Sequence, residues 1–346
     1  MKFKNIFLNF FLILFSISII LIILEIFCRF FVDFNSGYYS SSKKNLNNSF
    51  ITHPYGKIPV NKYGFFDEEF KLKEDKQVIA YFGDSVTYGV GAGYPYRFTE
   101  YLDKINSKFE HINLSGGLGA SLSDWSLEFE KFLLEKNINR VVYVMNLNDI
   151  APLSNPLLKN SDGKRYIKNL SVIKKIIEPL DSILRGNSEL YTYLRFLLKK
   201  QFVKAGYEAS GYESIELFSE KNQKHIITVS RKIDKWLDKT QKKGFKSCVA
   251  VLPYEMQISK DAERFYRSIN IRFEKNFANF STQKLIKKNL KNKERFFIIN
   301  KDGFREKKVG HYFVFNQGDK IDFNHPNREG HFIIAKEINK KNICQN

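Results

Sequence analysis

The sequence predicts an α/β fold, a three-layer sandwich whose central parallel sheet of about five strands lies between layers of helices. Short, continuous apolar segments alternate along the chain with amphipathic helical segments. Such apolar strands are typical of a parallel sheet that is covered on both faces. The length of 346 residues, of which 43% are hydrophobic, favours one sizeable core over several domains.

The chain begins with a segment that predicts a transmembrane helix. Residues 5–24 carry no charge, and about 20 helical residues span about 30 Å, the thickness of a bilayer's hydrocarbon core. A cleaved signal peptide is the alternative, but it needs a shorter apolar region followed by small residues. We therefore expect a retained single-pass anchor over 1–34 in the cytoplasmic membrane. Lys2 and Lys4 precede it and predict that the rest of the chain is extracytoplasmic, or periplasmic.

The anchor is followed by a polar region without strong periodicity. Residues 35–75 are predicted to form a linker, rich in Ser, Asn and Tyr, and then ordered turns at about 53–70. The folded domain is expected over 76–346. A polar region at about 151–222, with helical segments, predicts an insertion into this domain. Its aromatic residues Tyr191, Tyr193 and Phe196 are compatible with a lid, although ordinary helix packing explains them better.

The elements of the domain are predicted from their apolar patterns. The five strands are expected at 78–82, 111–114, 140–147, 247–253 and 295–300. Helices are expected at about 96–108 and 124–136, through Ile226 to Gly244, and from Asn327 onward. Because ligands of parallel sheets bind at the carboxyl ends of the strands, the loops that follow these strands should meet at one edge.

Composition excludes several classes of function. The formal net charge is +19, but the lysines are scattered and form no nucleic-acid-binding module, so a solvated basic surface is favoured and no nucleic acid is expected as a partner. The three cysteines, Cys28, Cys248 and Cys344, show neither metal-ligand spacing nor a readable disulfide framework. We expect no metal and no cofactor.

The first loop, "GDS" at 83–85, follows a buried strand and enters a glycine-rich segment with Gly89, Gly91 and Gly93. A serine at this position has an exposed hydroxyl and a backbone N–H directed at the same point. On the tripeptide alone, an ordinary turn serine is the favoured interpretation. A phosphate-binding loop is disfavoured, because neither Lys-[Ser/Thr] nor the G-x-G-x-x-G spacing is present.

Three further loops carry candidate groups. The second, "NLSGGLGAS" at 113–121, has glycines that allow backbone N–H groups to face a developing negative charge. The third, "NLND" at 146–149, places the Asn148 amide at a strand end. In the last, Asp322 can orient His325 and leave its Nε2 free as a base. Each pattern alone also fits a turn or a helix cap.

The order of these four blocks resembles that of the SGNH (GDSL-type) hydrolases, over roughly 53–341 apart from the insertion. "FGDSVTYG" resembles the first block of the family, "NLSGGLGAS" the second, "NLND" the third and "DFNHPNREGH" the fourth. The resemblance implies a flavodoxin-like sandwich with Ser85 as nucleophile, His325 as base and Asp322 as the residue that orients the base. It also implies an oxyanion hole formed by the N–H of Ser85, an N–H of the second block and the Asn148 side chain.

The chain departs from the family pattern at three places. Val86 replaces the usual Leu, and Asn146 replaces the usual Gly of the third block. In the second block the family spacing falls between Gly117 and Gly119. Gly119 is favoured, because "GAS" matches what usually follows. Two other histidines are rival bases: His331 is expected to be structural, and His311 lacks an acidic residue at useful spacing.

The function expected from these observations is hydrolysis of an acyl or acetyl ester through an acyl-serine intermediate, on an ester-bearing substrate such as a cell-envelope glycan. An O-acyltransferase that modifies cell-surface polysaccharide would use the same residues and is the alternative. A non-catalytic, membrane-anchored scaffold is the third possibility. The complete Ser/Asp/His set disfavours it.

Overall fold

The structure, a computed structural model, describes most of the N-terminal helix and of the domain that follows it. The described residues are 2–31, 50–53, 56–73, 75–116, 119, 121–122, 125–147, 184, 188, 190–191, 193–194, 197–198, 223–268, 273–314 and 323–345. The predicted insertion at 151–222 therefore lies outside the described residues except at eight positions. The predicted domain boundaries stay predictions.

The central sheet has five parallel strands. In chain order they are β3 (Gln77–Gly83), β4 (Phe109–Asn113), β5 (Arg140–Met145), β6 (Lys246–Val251) and β7 (Phe296–Ile298). Their order across the sheet is β4-β3-β5-β6-β7, and every neighbouring pair is parallel. Because β3 lies between β4 and β5, this is the flavodoxin-like order with its switch point beside β3. The predicted fold class is confirmed.

Helices cover both faces of the sheet. The helices, again in chain order, are α1 (Lys2–Phe31), α2 (Phe98–Ile105), α3 (Leu127–Glu135), α4 (Gln223–Lys242), α5 (Glu255–Ile258), α6 (Lys260–Ser268), α7 (Ser281–Asn289) and α8 (Arg328–Lys340). Short 3-10 turns lie at Lys275–Asn279, Lys293–Arg295 and Lys301–Gly303. The sequence analysis did not predict α5, α6 and α7, which lie between β6 and β7 along the chain.

The alternation of side chains along β3 divides the core into two layers. Phe82 packs with Phe129 of α3 and Trp236 of α4. Its neighbour Tyr81 points to the opposite face, into the layer that contains Phe98 of α2 and Ile334 of α8. Both layers are buried, which explains why β3 is hydrophobic from Val78 to Phe82 and β5 from Val141 to Met145.

The segment before the domain contains a hairpin that the sequence analysis did not predict. Strands β1 (Phe50–His53) and β2 (Gly56–Pro59) pair antiparallel. Residues 60–73 have no regular secondary structure.

The cysteines correct one expectation. Cys248 of β6 and Cys344, which follows α8, form a disulfide with a Cα–Cα distance of 5.9 Å. No local pattern indicates this bond, because the two residues are 96 positions apart and meet only when the last helix returns across the sheet. The third cysteine, Cys28, lies on α1.

The N-terminal helix has the length and composition of a membrane-spanning segment. Within Leu8–Phe31 the most apolar window of 18 residues has a mean hydropathy of 2.9, and none of that window is buried against the protein. A membrane anchor and a signal sequence share these properties.

Candidate active site

The turn after β3 presents the hydroxyl of Ser85. The carbonyl oxygen of Asp84 accepts the N–H of Thr87 at 2.9 Å, and its carboxylate accepts the N–H of Val86 at 3.0 Å. These bonds fix the backbone on both sides of Ser85, whose side chain is half-buried. The turn thus holds a hydroxyl at the carboxyl edge of the sheet, where the ligand sites of parallel sheets lie.

His325 lies against this hydroxyl although the two residues are 240 positions apart. The distance between Ser85 Oγ and His325 Nε2 is 2.9 Å, and the imidazole is 7% exposed. The Asp84 carboxylate lies farther from the same hydroxyl, at 3.4 Å. With Nε2 unprotonated, the imidazole accepts a hydrogen bond from the serine and is positioned to receive its proton.

Two of the predicted site residues, Asp322 and Asn148, lie outside the described residues. Of the predicted oxyanion donors, the N–H of Ser85 makes no hydrogen bond to any residue that the structure describes. The N–H of Gly119 instead donates to the carbonyl of Gly116 at 2.9 Å. Gly117, the alternative to Gly119, also lies outside the described part of the chain.

Gly119 has a packing role in this conformation. A Cβ at this position would lie 2.9 Å from the carbonyl carbon of Leu114 and closer still to its oxygen. The loop can therefore turn back against the end of β4 only with glycine here. Its N–H would have to leave the turn in order to reach an oxyanion.

The glycines after Ser85 allow close approach of the two loops. A Cβ on Gly91 would lie 2.7 Å from Val314 Cγ2 and 2.9 Å from the carbonyl carbon of Pro326, and closer still to that carbonyl's oxygen. Pro326 directly follows His325. The absent side chain at residue 91 thus lets the serine loop and the histidine loop touch, which brings the hydroxyl and the imidazole within hydrogen-bond distance.

The serine loop is supported from the neighbouring strand. Asn113, the last residue of β4, is fully buried and donates its side-chain amide to the carbonyl of Thr87 at 2.7 Å. Its own backbone N–H donates to the Asp67 carboxylate at 2.8 Å. The end of β4 and the segment before the domain therefore hold the loop that carries Ser85.

A buried cluster of charges lies behind this loop. The Arg97 guanidinium is completely buried and pairs with Asp67, at 2.7 Å, and with Glu100. Burial raises the pKa of Asp67, and the adjacent guanidinium opposes that rise. Gly89 makes room for the arginine, because a Cβ there would lie 2.7 Å from Arg97 Cδ.

The histidine loop is held on three sides. The side-chain amide of Asn146, which follows β5, donates to the carbonyl of Asn324 at 3.3 Å. The carbonyl of His325 accepts the N–H of Val314 at 2.9 Å. On the third side, Asn327 caps α8 by accepting the N–H of Gly330 at 3.1 Å. These contacts fix the backbone of the base from the sheet, from residue 314 and from the terminal helix.

The other candidate histidines are placed elsewhere. His331 is fully buried on α8, and its Nδ1 accepts the N–H of Phe98 at 3.2 Å. Burial lowers its pKa to about 3, so the ring is neutral at ordinary pH. His311 is exposed, and its ring packs against Tyr312. Among the residues the structure describes, neither ring is hydrogen-bonded to Ser85.

Sequence reasoning missed Asn113, Asp67 and Arg97 as supports of the site. A single arginine next to an amphipathic helix is typical of a surface position, and no sequence pattern near Arg97 indicates complete burial. Asn146 was noticed only as a departure from the family pattern. Its hydrogen bond to the histidine loop could not be predicted, because the partner is a backbone carbonyl 178 residues away.

The arrangement has the parts of an acyl-transfer site. It combines the Ser85 hydroxyl, the His325 imidazole at hydrogen-bond distance and the backbone N–H of Ser85. No group of three or more His, Cys, Asp or Glu side chains with the arrangement of a metal site occurs within the described ranges.

A scan of protein-family models and a search of curated proteins both found no match. Solved structures with a similar fold include a lipase from a goat rumen metagenome, with 16% identity, a TM-score of 0.38 and coverage of 77% of this chain and 97% of that one. Phospholipase A1 from Streptomyces albidoflavus has 16% identity, a TM-score of 0.37 and coverage of 77% and 99%. A lipolytic protein of the G-D-S-L family from Desulfitobacterium hafniense has 12% identity, a TM-score of 0.34 and coverage of 77% and 99%. At this level the likeness is one of fold, and the function proposed below rests on the site geometry.

Proposed function

We propose that the protein hydrolyses esters through a covalent acyl-serine intermediate. The observation that carries this proposal is the 2.9 Å distance between Ser85 Oγ and His325 Nε2 at the carboxyl edge of the sheet. A nucleophile and a base in this relation are what acyl transfer requires. The nucleophile also lies on the strand beside the switch point, where ligands of this sheet order bind.

In the first step, Ser85 Oγ attacks the ester carbonyl carbon while His325 Nε2 takes the hydroxyl proton. The tetrahedral intermediate collapses, the bond to the alcohol oxygen breaks, and His325 gives its proton to the departing alkoxide. Water then attacks the acyl-serine with His325 again as base. Collapse of the second intermediate breaks the bond between the acyl carbon and Ser85 Oγ, His325 returns its proton to that oxygen, and the carboxylic acid leaves. Asp322 is proposed to accept the Nδ1–H of His325 and so to fix its tautomer.

The oxyanion is proposed to be held by the N–H of Ser85, the Asn148 side chain and an N–H of the second loop. Loss of one such donor typically reduces the rate by about 10²–10³-fold. Gly119 remains the proposed donor of the second loop only if its N–H leaves the turn bond to Gly116. Gly117 is the alternative, two positions earlier in the same loop.

We place the domain outside the cytoplasmic membrane, anchored by α1 as a single span. The disulfide between Cys248 and Cys344 supports this location, because such bonds persist in oxidising compartments and are rare in the cytosol. The bilayer would then be a permanent partner, and an ester-bearing molecule of the cell envelope, such as an acylated glycan, would be the substrate.

The test uses the full chain in detergent micelles or nanodiscs. Wild type is expected to turn over p-nitrophenyl acetate, and Ser85→Ala and His325→Ala are each expected to reduce kcat by about 10³-fold or more. His311→Ala is the matched control, since that histidine is exposed and, in the part of the chain that the structure describes, its ring is not hydrogen-bonded to Ser85. A well-folded wild type without turnover would support the non-catalytic scaffold instead.

A second measurement separates hydrolysis from transfer. The acyl donor is supplied together with a polysaccharide acceptor, and the products are analysed as free acid or as new glycan ester. Free acid as the main product supports the hydrolase proposed here. An ester on the glycan, formed only with Ser85 present, would assign the O-acyltransferase activity.

A further inference from the structure

The N-terminal helix is joined to a second helical segment by a pair of hydrogen bonds. One carboxylate oxygen of Glu25, on α1, accepts the hydroxyl of Ser188 at 2.8 Å and the backbone N–H of Leu190 at 3.0 Å. The hydroxyl oxygen of Ser188 accepts the N–H of Tyr191 at 3.1 Å. Ser188 therefore caps the start of the second segment, and Glu25 takes one of the N–H groups that the first turn of a helix leaves without an internal partner.

The position of Glu25 defines the level at which this second segment begins. It is the first charged residue after the uncharged stretch 5–24, and it pairs with Arg29 at 2.8 Å. About 20 helical residues already span the hydrocarbon core, so the Glu25–Arg29 pair lies at its boundary. The second segment, whose first turn is bonded to Glu25, consequently begins at the membrane surface.

The second segment exposes two leucines on one face. The described helical positions between 190 and 198 include Leu194 and Leu198, which are four residues apart and therefore lie on one face. These side chains are 49% and 59% exposed, whereas Leu190 and Leu197 are half-buried. In the sequence, Arg195 follows Leu194, and Lys199 and Lys200 follow Leu198. Leucines on one face together with basic residues are typical of helices that lie in the interface of an anionic bilayer.

We propose that the helical positions described at 190–191, 193–194 and 197–198, which we call the interface helix, form a second membrane-binding element. Leu194 and Leu198 would insert among the acyl chains near the lipid headgroups, and Glu25 would hold the start of the interface helix against α1. This inference rests on the proposal that α1 is a retained membrane anchor, and it is independent of the chemistry at Ser85. It assigns the interface helix to the bilayer surface and not to a lid over the site.

A second contact has a mechanical consequence. A domain attached to the membrane by one helix alone can rotate about its tether. A helix fixed in the interface removes much of that freedom, so the entrance to the site would keep a defined height and orientation above the bilayer. The substrates best suited to such an arrangement are ester-bearing molecules that are themselves held near the membrane surface.

The experiment measures the depth of single tryptophan probes in the full chain. The protein is reconstituted in nanodiscs of phosphatidylcholine and phosphatidylglycerol whose lipids are spin-labelled either near the carbonyl end of the acyl chain or, in parallel samples, deep in the acyl chain. Probes are introduced by Leu194→Trp and, independently, by Leu198→Trp. Leu134→Trp is the matched control, because Leu134 is an equally exposed leucine, at 61%, on a helix of the domain. Phe15→Trp reports on α1 itself.

The proposal predicts that the fluorescence of both interface probes is quenched at least about two-fold by the lipid labelled near the carbonyl end. Both probes should also emit at a shorter wavelength than a tryptophan exposed to water. The Leu134→Trp probe should be unaffected. The two native tryptophans, Trp125 and Trp236, are buried and provide a constant background. Interface probes that behave like the Leu134→Trp probe, in particles where the Phe15→Trp probe is quenched by deeply labelled lipid, would overturn the proposal. An unquenched Phe15→Trp probe would overturn the anchor as well. Turnover of a soluble ester reports separately on the proposed reaction.

Discussion

Replacement of Gly91 by alanine should separate the serine loop from the histidine loop. The new Cβ would lie 2.7 Å from Val314 Cγ2 and 2.9 Å from the carbonyl carbon of Pro326, whereas carbon atoms in ordinary contact are about 3.5–4.0 Å apart. The loops must move apart by about 1 Å to relieve these contacts. The movement falls next to His325, whose Nε2 is 2.9 Å from Ser85 Oγ.

A displacement of about 1 Å at reacting groups lowers rates by about 10²-fold, which equals about 2.7 kcal/mol of transition-state stabilisation. We expect kcat for p-nitrophenyl acetate to fall by about that factor in Gly91→Ala. The KM should change much less, because the substituted residue is proposed to position the base and not to bind the ester.

The matched control is Gly303→Ala. A Cβ at Gly303 would also be crowded, 2.7 Å from Glu337 Cγ, but it meets a side chain of α8 and not the histidine loop. This variant should lose stability in thermal unfolding and keep its kcat. If folded Gly91→Ala retained kcat within about threefold of wild type, the close approach of the two loops would not be what holds the base in place.

Three further perturbations follow from the structure. Asn146→Ala removes the hydrogen bond to the His325 loop and should lower kcat roughly 3–10-fold; an unchanged kcat would show that the loop holds itself. Replacing both Cys248 and Cys344 by serine should reduce the free energy of unfolding by about 2–5 kcal/mol in a denaturant titration, and dithiothreitol should then have no further effect. His331 has a folded-state pKa of about 3, below its ordinary 6.5, so it favours unfolding as pH falls from 6.5 towards 3. His331→Gln should flatten this part of the stability–pH profile by up to about 1.4 kcal/mol per pH unit, and an unchanged slope would contradict the assignment.

The strands and the serine–histidine pair were predictable because they depend on local patterns and on one general rule of topology. In "RVVYVM" every position after Arg140 is hydrophobic because both faces of the strand are covered, so such a run marks a strand of a parallel sheet. Since such strands end at one edge, Ser85 and His325 could be expected to meet although the chain between them is long.

The remaining features depend on contacts that have no local pattern. The path of the terminal helix determines that Cys344 is the partner of Cys248. The burial of Arg97 depends on the negative charges of Asp67 and Glu100 around it. The choice of Gly119 from the motif spacing could not take account of the turn in which its N–H bonds to Gly116. In each case the decisive partner is a backbone atom or a distant side chain.

The most direct test of the proposed chemistry is covalent capture of the nucleophile. The full chain is treated with a fluorophosphonate, digested and mapped by mass spectrometry. The proposed mechanism predicts one adduct, on Ser85, that forms much more slowly in His325→Ala and is absent from Ser85→Ala. A well-folded wild type that stays unlabelled, or that carries the adduct on another residue, would contradict it.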